Sequence, residues 1–164
     1  MDQEARRPVL EALEALGIEL DVEDHEQAST LEEIEALGLT SHGLVAKNLF
    51  LRDEKGKRHF LVMIPGTKHP DLKRMQDRIG CTRLSFGSDE RLMRCLGLTP
   101  GRVSPFGILN DAAKKVELFI DKALAGAPRL GFHPNDNTAI LWLSWDDLMK
   151  FIKARGRTVR QIDL

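Results

Sequence analysis

The sequence predicts a mixed α/β (α+β) fold, a mixed sheet or small barrel with short helices packed on it. Three observations point there. Apolar runs of strand length and amphipathic stretches of helix length follow one another without the regular alternation of a doubly wound sheet. Glycine, proline and capping residues punctuate most junctions. The 164 residues, 42% of them hydrophobic, suit one domain, 1–164. A chain of this size buries about 70% of the surface it would expose unfolded.

The opening "RPVLEALEALG" has apolar residues at helical spacing, with Pro8 near its start and Gly17 at its stop. "IELDV" reads as a short strand. Thr30 and Glu33 fit a capping box on a helix ended by Gly38. "GLVAKNLFLRD" and "RHFLVMI" are strand-like, and the turn signal "DEKGK" between them makes a hairpin. "DLKRMQDRIG" and "SDERLMRCLG" are glycine-stopped helices with "RLSF" between them as a strand. "LTPGRVSPFGILND" predicts an irregular loop running into a brief strand and an "ND" turn. "KVELFID" and the buried "TAILWLS" are strands, Ser144 with Asp147 suggests a second capping box, and "TVRQIDL" supplies a last strand.

Composition excludes several classes. Cys81 and Cys95 are the only cysteines and form no C-x-x-C pair, which argues against a disulfide scaffold or a structural zinc. No apolar run reaches the roughly 20 residues of a membrane helix, and the N-terminus is acidic where a signal peptide is basic, so a cytoplasmic protein is expected. The formal net charge of -1 limits any nucleic-acid contact to local patches. Two basic clusters exist: Lys68, Lys73, Arg74, Arg78 and Arg83, and then Lys150, Lys153, Arg155, Arg157 and Arg160. Each reads either as a solvated helix face or as a phosphate contact.

One strand carries an anomaly. In "GLVAKNLFL" Val45, Lys47, Leu49 and Leu51 share one face and Leu44, Ala46, Asn48 and Phe50 the other, so both faces are mostly apolar around a lysine and an asparagine. Such an ammonium must snorkel to water, find a partner or lose its proton easily. G-x-S-x-G, P-loop and G-x-G-x-x-G motifs are absent, and the five histidines show no metal-ligand spacing. Two further stretches stand out: "GRVSPFG", Gly101 to Gly107, where glycine admits close approach of a ligand and proline sets chain direction, and "GFHPNDNTA", with His133 and polar Asn135, Asp136 and Asn137. Singly, each has a structural reading: a snorkelling lysine, a turn, and a histidine bonded to a loop carbonyl.

In this order, "KNLFLRD", "RLSF", "LGLTPGRVSPFGILND", "FHPNDNTA" and the terminal "IDL" resemble the bacterial prolyl-tRNA editing proteins, the YbaK/ProX-type aminoacyl-tRNA deacylase family, from about His25 to Leu164. The resemblance is nearest to the free-standing editors similar to the insertion domain of bacterial prolyl-tRNA synthetase, a branch associated with removing alanine from mischarged proline tRNA. It implies a mixed, mostly antiparallel, barrel-like sheet surrounded by short helices, and neither metal nor organic cofactor. The expected partner is the acceptor end of proline tRNA, with prolyl-tRNA synthetase a candidate second partner and no membrane. The implied catalytic residues are Lys47, Gly101 and His133. The implied substrate contacts are Asn48, His25, Val103, Ser104, Pro105, Phe106, Gly107 and Asn137. Lys47 would meet the terminal adenosine phosphate or the oxyanion formed as water attacks the ester, and backbone around Gly101 would hold the aminoacyl group. No side chain is an obvious general base, which leaves a positioned water assisted by the tRNA 2′-hydroxyl.

Two departures bear on specificity. Where many relatives have a Gly-Gly-His-Thr-like approach to the lysine, this chain has "HGLVA", and Ile140 and Trp142 stand where polar or small residues are common. These changes narrow the pocket or repack the core. The rival readings are a Cys-tRNA(Pro) deacylase and a non-catalytic sensor of an aminoacyl ester or amino acid.

Overall fold

Residues 3–164 are described by a computed structural model; Met1 and Asp2, part of the acidic N-terminus, lie outside the described residues. Helix α1 (Gln3–Ala15) begins ahead of the predicted start, contains Pro8, and buries Arg6, Val9 and Leu13. Gly17 adopts φ 74°, and the Ile18 N–H reaches back to the Leu13 carbonyl at 3.1 Å. The apolar Ile18 therefore closes the helix end instead of opening a strand, and β1 is Val22–Asp24, displaced from the predicted "IELDV". The Thr30 capping box is formed on α2 (Leu31–Ala36). A short 3₁₀ turn, Leu39–Ser41, leads into β2.

Strands β2 (Leu44–Arg52) and β3 (His59–Pro65) make the predicted hairpin, paired from Ala46↔Pro65 to Arg52↔His59. Asp53 closes its turn by accepting from the N–H groups of Lys57 and Arg58 at 2.9 and 3.1 Å. Then follow α3 (Leu72–Ile79), β4 (Ser85–Phe86) and α4 (Asp89–Leu96), each helix capped by an Asp or Ser side chain and stopped by glycine. The predicted brief strand after "GRVSP" is instead a 3₁₀ segment, Pro105–Asn110. Ser104 Oγ accepts from the Phe106 N–H at 3.1 Å, and Pro105 is pre-set for the first turn. Strand β5 (Val116–Asp121), a 3₁₀ turn at Lys122–Leu124, β6 (Leu130–Phe132), β7 (Ala139–Leu143), α5 (Trp145–Ala154) and β8 (Val159–Ile162) complete the chain. Ser144 caps α5 through the Asp147 N–H. The three-residue β6 has too short a pattern to be read from sequence.

The strands form one mixed sheet in the order β1-β7-β6-β2-β3-β5-β8, with β4 beside β2. Pairs β1·β7, β2·β3, β2·β4 and β6·β7 are antiparallel, whereas β2·β6, β3·β5 and β5·β8 are parallel. Both faces of the hairpin are covered. Phe50, Leu61 and Met63 join the large core with α1, α4, α5 and Phe106, while Leu49, Leu51, Val62 and Ile64 pack with Met75 and Ile79 of α3. Arg157, expected in a basic surface cluster, is buried and donates to Asp111 at 3.1 Å.

Phe106 is 0% exposed and meets Phe132 and Phe151 edge-on at centroid distances of 6.2 and 5.2 Å. Phe106→Ala is expected to lower the unfolding free energy by about 3–5 kcal/mol in a denaturant titration, and a loss below about 1 kcal/mol would be incompatible with this packing.

Candidate active site

Strand β2 is paired with β3 along one edge, but on the other it meets β6 only at Leu44 and Val45 and β4 only at Leu51 and Arg52. Among the described residues no strand covers Ala46–Leu49 on that edge, and the Phe50 carbonyl accepts from the Gly87 N–H at 2.9 Å. Ala46, Lys47 and Asn48 of this uncovered stretch line a cavity of about 160 Å³. Its other walls come from the start of α2 (Ser29, Thr30, Leu31 and Ile34), from Val45 and Gly66, and from Gly101, Val103 and His133.

The position of Lys47 answers the anomaly in the sequence. Its face of β2 runs from the Leu49–Leu51 cluster under α3 to Val45, which packs against a separate cluster of Ala28, Ile34, Leu39, Ile140 and Trp142. The lysine falls between the two clusters, half-buried, and donates from Nζ to the Lys68 carbonyl at 3.0 Å. One carbonyl leaves the ammonium further donor capacity toward the cavity. Asn48 Oδ1 is buried with no hydrogen-bond partner.

Two histidines face one another at this end of the molecule, with ring centroids 6.1 Å apart. His133 Nδ1 lies 3.1 Å from the Ala139 carbonyl and His25 Nδ1 lies 2.5 Å from the Glu26 carbonyl. A carbonyl only accepts, so both Nδ1 atoms carry hydrogen, and a ring with that one hydrogen presents Nε2 as an acceptor. His25 Nε2 is buried and unpartnered. Burial holds the His133 ring below the ordinary histidine value, aided by His25 and opposed by the Ala139 carbonyl and Asp136.

Gly101 adopts φ 85°, and a Cβ there would come within 2.5 Å of Ser29 Oγ, so only glycine lets this loop close on the α2 approach. Ser29 Oγ also accepts from Asn137 Nδ2 at 2.9 Å, and Asn137 Oδ1 is buried and unpartnered.

Of the residues proposed from sequence, Lys47, Asn48, Gly101, Val103 and His133 meet at the cavity. His25 and Asn137 stand behind it, bonded to its neighbours. Ser104, Pro105, Phe106 and Gly107 do not line it: all four are buried. Ser104 Oγ donates to Asn135 at 2.6 Å, Phe106 is core, and a Cβ on Gly107 would meet Leu98 at 2.8 Å. These four residues hold the loop in place, while Gly101 and Val103 of the same motif line the cavity. Ser29, Thr30, Leu31, Ile34 and Gly66 were missed, and only the Thr30 capping box marked their neighbourhood in the sequence. Trp142 and Ile140 repack the core behind Ile34 and Val45, and a Cβ on Gly43 or Gly131 would sit 2.7 Å from the Trp142 ring. Lys68, counted in a basic cluster, is paired with Asp121 at 2.7 Å. Among the described residues no three His, Cys, Asp or Glu side chains converge as a metal site.

Lys47, Gly101 and His133 thus line one small cavity. A model of the aminoacyl-tRNA editing domain matches residues 25–151, and the chain belongs to this family. It is 44% identical, over the full length of both chains, to the prolyl-tRNA editing protein ProX of Acetoanaerobium sticklandii. It is 30% identical to the prolyl-tRNA synthetase associated domain-containing protein 1 of Danio rerio, over 93% of this chain and 84% of that one. A stretch covering 67% of the chain matches 19% of a proline–tRNA ligase of Limosilactobacillus fermentum at 26% identity. The crystal structure of a proposed trans-editing enzyme for prolyl tRNA synthetase shares the fold, with a TM-score of 0.69 and 21% identity over 98% of this chain and 97% of that one. No helix among the described residues is long and apolar enough to cross a membrane.

A histidine whose folded value lies below its unfolded one binds more protons when unfolded, so its contribution favours folding above about pH 6.5 and is lost as pH falls toward the folded value. In an NMR titration the His133 ring should therefore titrate below about 6.5; a midpoint at or above that value would contradict the burial seen here.

Proposed function

We propose that this aminoacyl-tRNA deacylase clears alanine from mischarged proline tRNA in the cytoplasm, through a single editing domain spanning 1–164. The observation that carries the reading is the Lys47 ammonium at a cavity of about 160 Å³ beside Gly101 and His133. That space is well below the roughly 300–1,000 Å³ of drug-sized ligand clefts. The full-length likeness to a prolyl-tRNA editing protein supports the choice of tRNA.

In this mechanism the terminal adenosine lies along the uncovered edge of β2, with Asn48 orienting it. Lys47 meets the terminal phosphate or the developing oxyanion, where a preorganised cation is worth a few kcal/mol of barrier. Backbone of the Gly101 loop holds the aminoacyl group. Water placed by this loop attacks the ester carbonyl with help from the tRNA 2′-hydroxyl; the C–O bond to the ribose breaks, and the leaving oxygen takes up the proton that water gives up. His133 shapes the side-chain end of the cavity as a neutral acceptor. Leu31, Ile34, Val45 and Val103 form apolar walls that exclude proline by size, since losing one methylene yields only about 1–3 kcal/mol of preference but overfilling a rigid wall is strongly disfavoured.

The test is hydrolysis of alanine-charged proline tRNA by the wild type and by Lys47→Ala, with prolyl-tRNA and cysteinyl-tRNA(Pro) alongside. Alanine release that falls about 100- to 1,000-fold in the variant while prolyl-tRNA survives is the expected outcome. Faster cysteine release would move the assignment to the cysteine branch. Deacylation untouched in Lys47→Ala with tRNA binding intact would remove the lysine from the mechanism, and binding without any hydrolysis by the wild type would make the protein a sensor.

A further inference from the structure

Arg6 lies upstream of the stretch, 25–151, that matches the editing domain model, yet it reaches the site. It is 5% exposed, and its guanidinium serves three partners from two other segments. Nε donates to Asp136 Oδ2 at 2.8 Å, Nη1 to Asp24 Oδ1 at 2.6 Å, and Nη2 to Thr138 Oγ1 at 3.0 Å. Asp136 is 0% exposed, and its second oxygen accepts from the backbone N–H and hydroxyl of Thr138 at 2.9 and 2.7 Å. Burial works to raise the Asp136 carboxyl, but the bonds from Thr138 and Arg6 outweigh it and hold the group below the ordinary aspartate value.

These partners flank the candidate site. Asp24 immediately precedes His25, while Asp136 and Thr138 bracket Asn137 in the turn that follows His133. The two segments are also joined through their backbones, with the His25 N–H on the Thr138 carbonyl at 2.9 Å and the Ala28 N–H on the Asn137 carbonyl at 3.0 Å. A planar guanidinium bridges such a set in a way that a point-charge ammonium does not.

We infer that Arg6 is a positioning residue of the editing site: by bridging Asp24, Asp136 and Thr138 from α1, it holds the segments carrying His25 and His133 at their 6.1 Å ring separation. The inference rests on the deacylase reading for its catalytic consequence and on geometry alone for the clamp. Helix α1 thereby supplies part of the site's register although none of its side chains lines the cavity. Small misplacements of groups that orient a reacting ester have large kinetic effects.

The experiment compares the full-length wild type with Arg6→Met, Arg6→Lys and Asp24→Asn. The Asp24 side chain is 54% exposed, so its replacement by asparagine takes the charge from one arm of the clamp, leaving a neutral acceptor there and the buried Arg6–Asp136 pair intact. Two readouts are taken on folded protein: kcat and KM for alanyl-tRNA(Pro) hydrolysis, and the nuclear Overhauser contact between the His25 and His133 rings, which needs no substrate. Arg6→Met should lose the ring contact and about 10- to 100-fold in kcat with little change in KM. Arg6→Lys should recover part of both, and Asp24→Asn should fall between Arg6→Lys and wild type. Unchanged ring contact and kcat in Arg6→Met, or a loss that only tracks the unfolded fraction, would overturn the proposal. Should Arg6→Met fail to fold, wild-type behaviour of Asp24→Asn would do the same. A wild type that hydrolyses no alanyl ester would count against the deacylase assignment, and the ring contact would still decide the clamp.

Discussion

The uneven partnership of β2 is the constraint on which the rest of the structure depends. One edge is bonded to β3 from Ala46 to Arg52, which makes the hairpin rigid and lets both faces be packed. The other edge changes partner, from β6 at its start to β4 at its end, and leaves a gap. A strand buried on both sides has no room for a lysine unless its neighbours part, and here the apolar clusters on its lysine-bearing face part at Lys47. The cavity is thus a consequence of how the sheet is assembled rather than an addition to it.

Polar groups around the gap are incompletely satisfied. His25 Nε2, Asn48 Oδ1 and Asn137 Oδ1 are buried without a partner in the protein. Among the described residues the other buried polar side chains have partners, as Asp111 with Arg157 and Val116 shows. Of the three, Asn48 lines the cavity, where the terminal adenosine of the proposed mechanism would offer it a donor.

Much of the architecture was legible in the sequence because it is written in local patterns. The β2–β3 hairpin follows from two apolar runs around "DEKGK", α2 and α5 follow from their capping side chains, and α2, α3 and α4 from the glycines that end or follow them. Local patterns also misled. Ile18 looked like the start of a strand and closes a helix, and "FGILN" looked extended and coils into a 3₁₀ segment because Ser104 caps it. Within the site, Lys47 and Asn48 stood out as polar residues in an apolar strand. Phe106 and its neighbours were read as substrate contacts because a motif records what is constrained, without separating contact from support.

By itself the sequence determined the mixed α/β class, the hairpin and the lysine in its first strand, since each depends on residue type and spacing within a few positions, whereas Gly101 and His133 were singled out for the site by the family resemblance. Only the tertiary structure decided which residues enclose the cavity. Ser29, Leu31, Ile34 and Gly66 are ordinary residues made relevant by what packs against them. Likewise Arg6 is one charge among many on an amphipathic helix until the fold carries it to Asp136, 130 positions away. Such contacts arise because a buried charge must find its counter-charge wherever the packing of apolar faces brings it, and no local pattern encodes that destination.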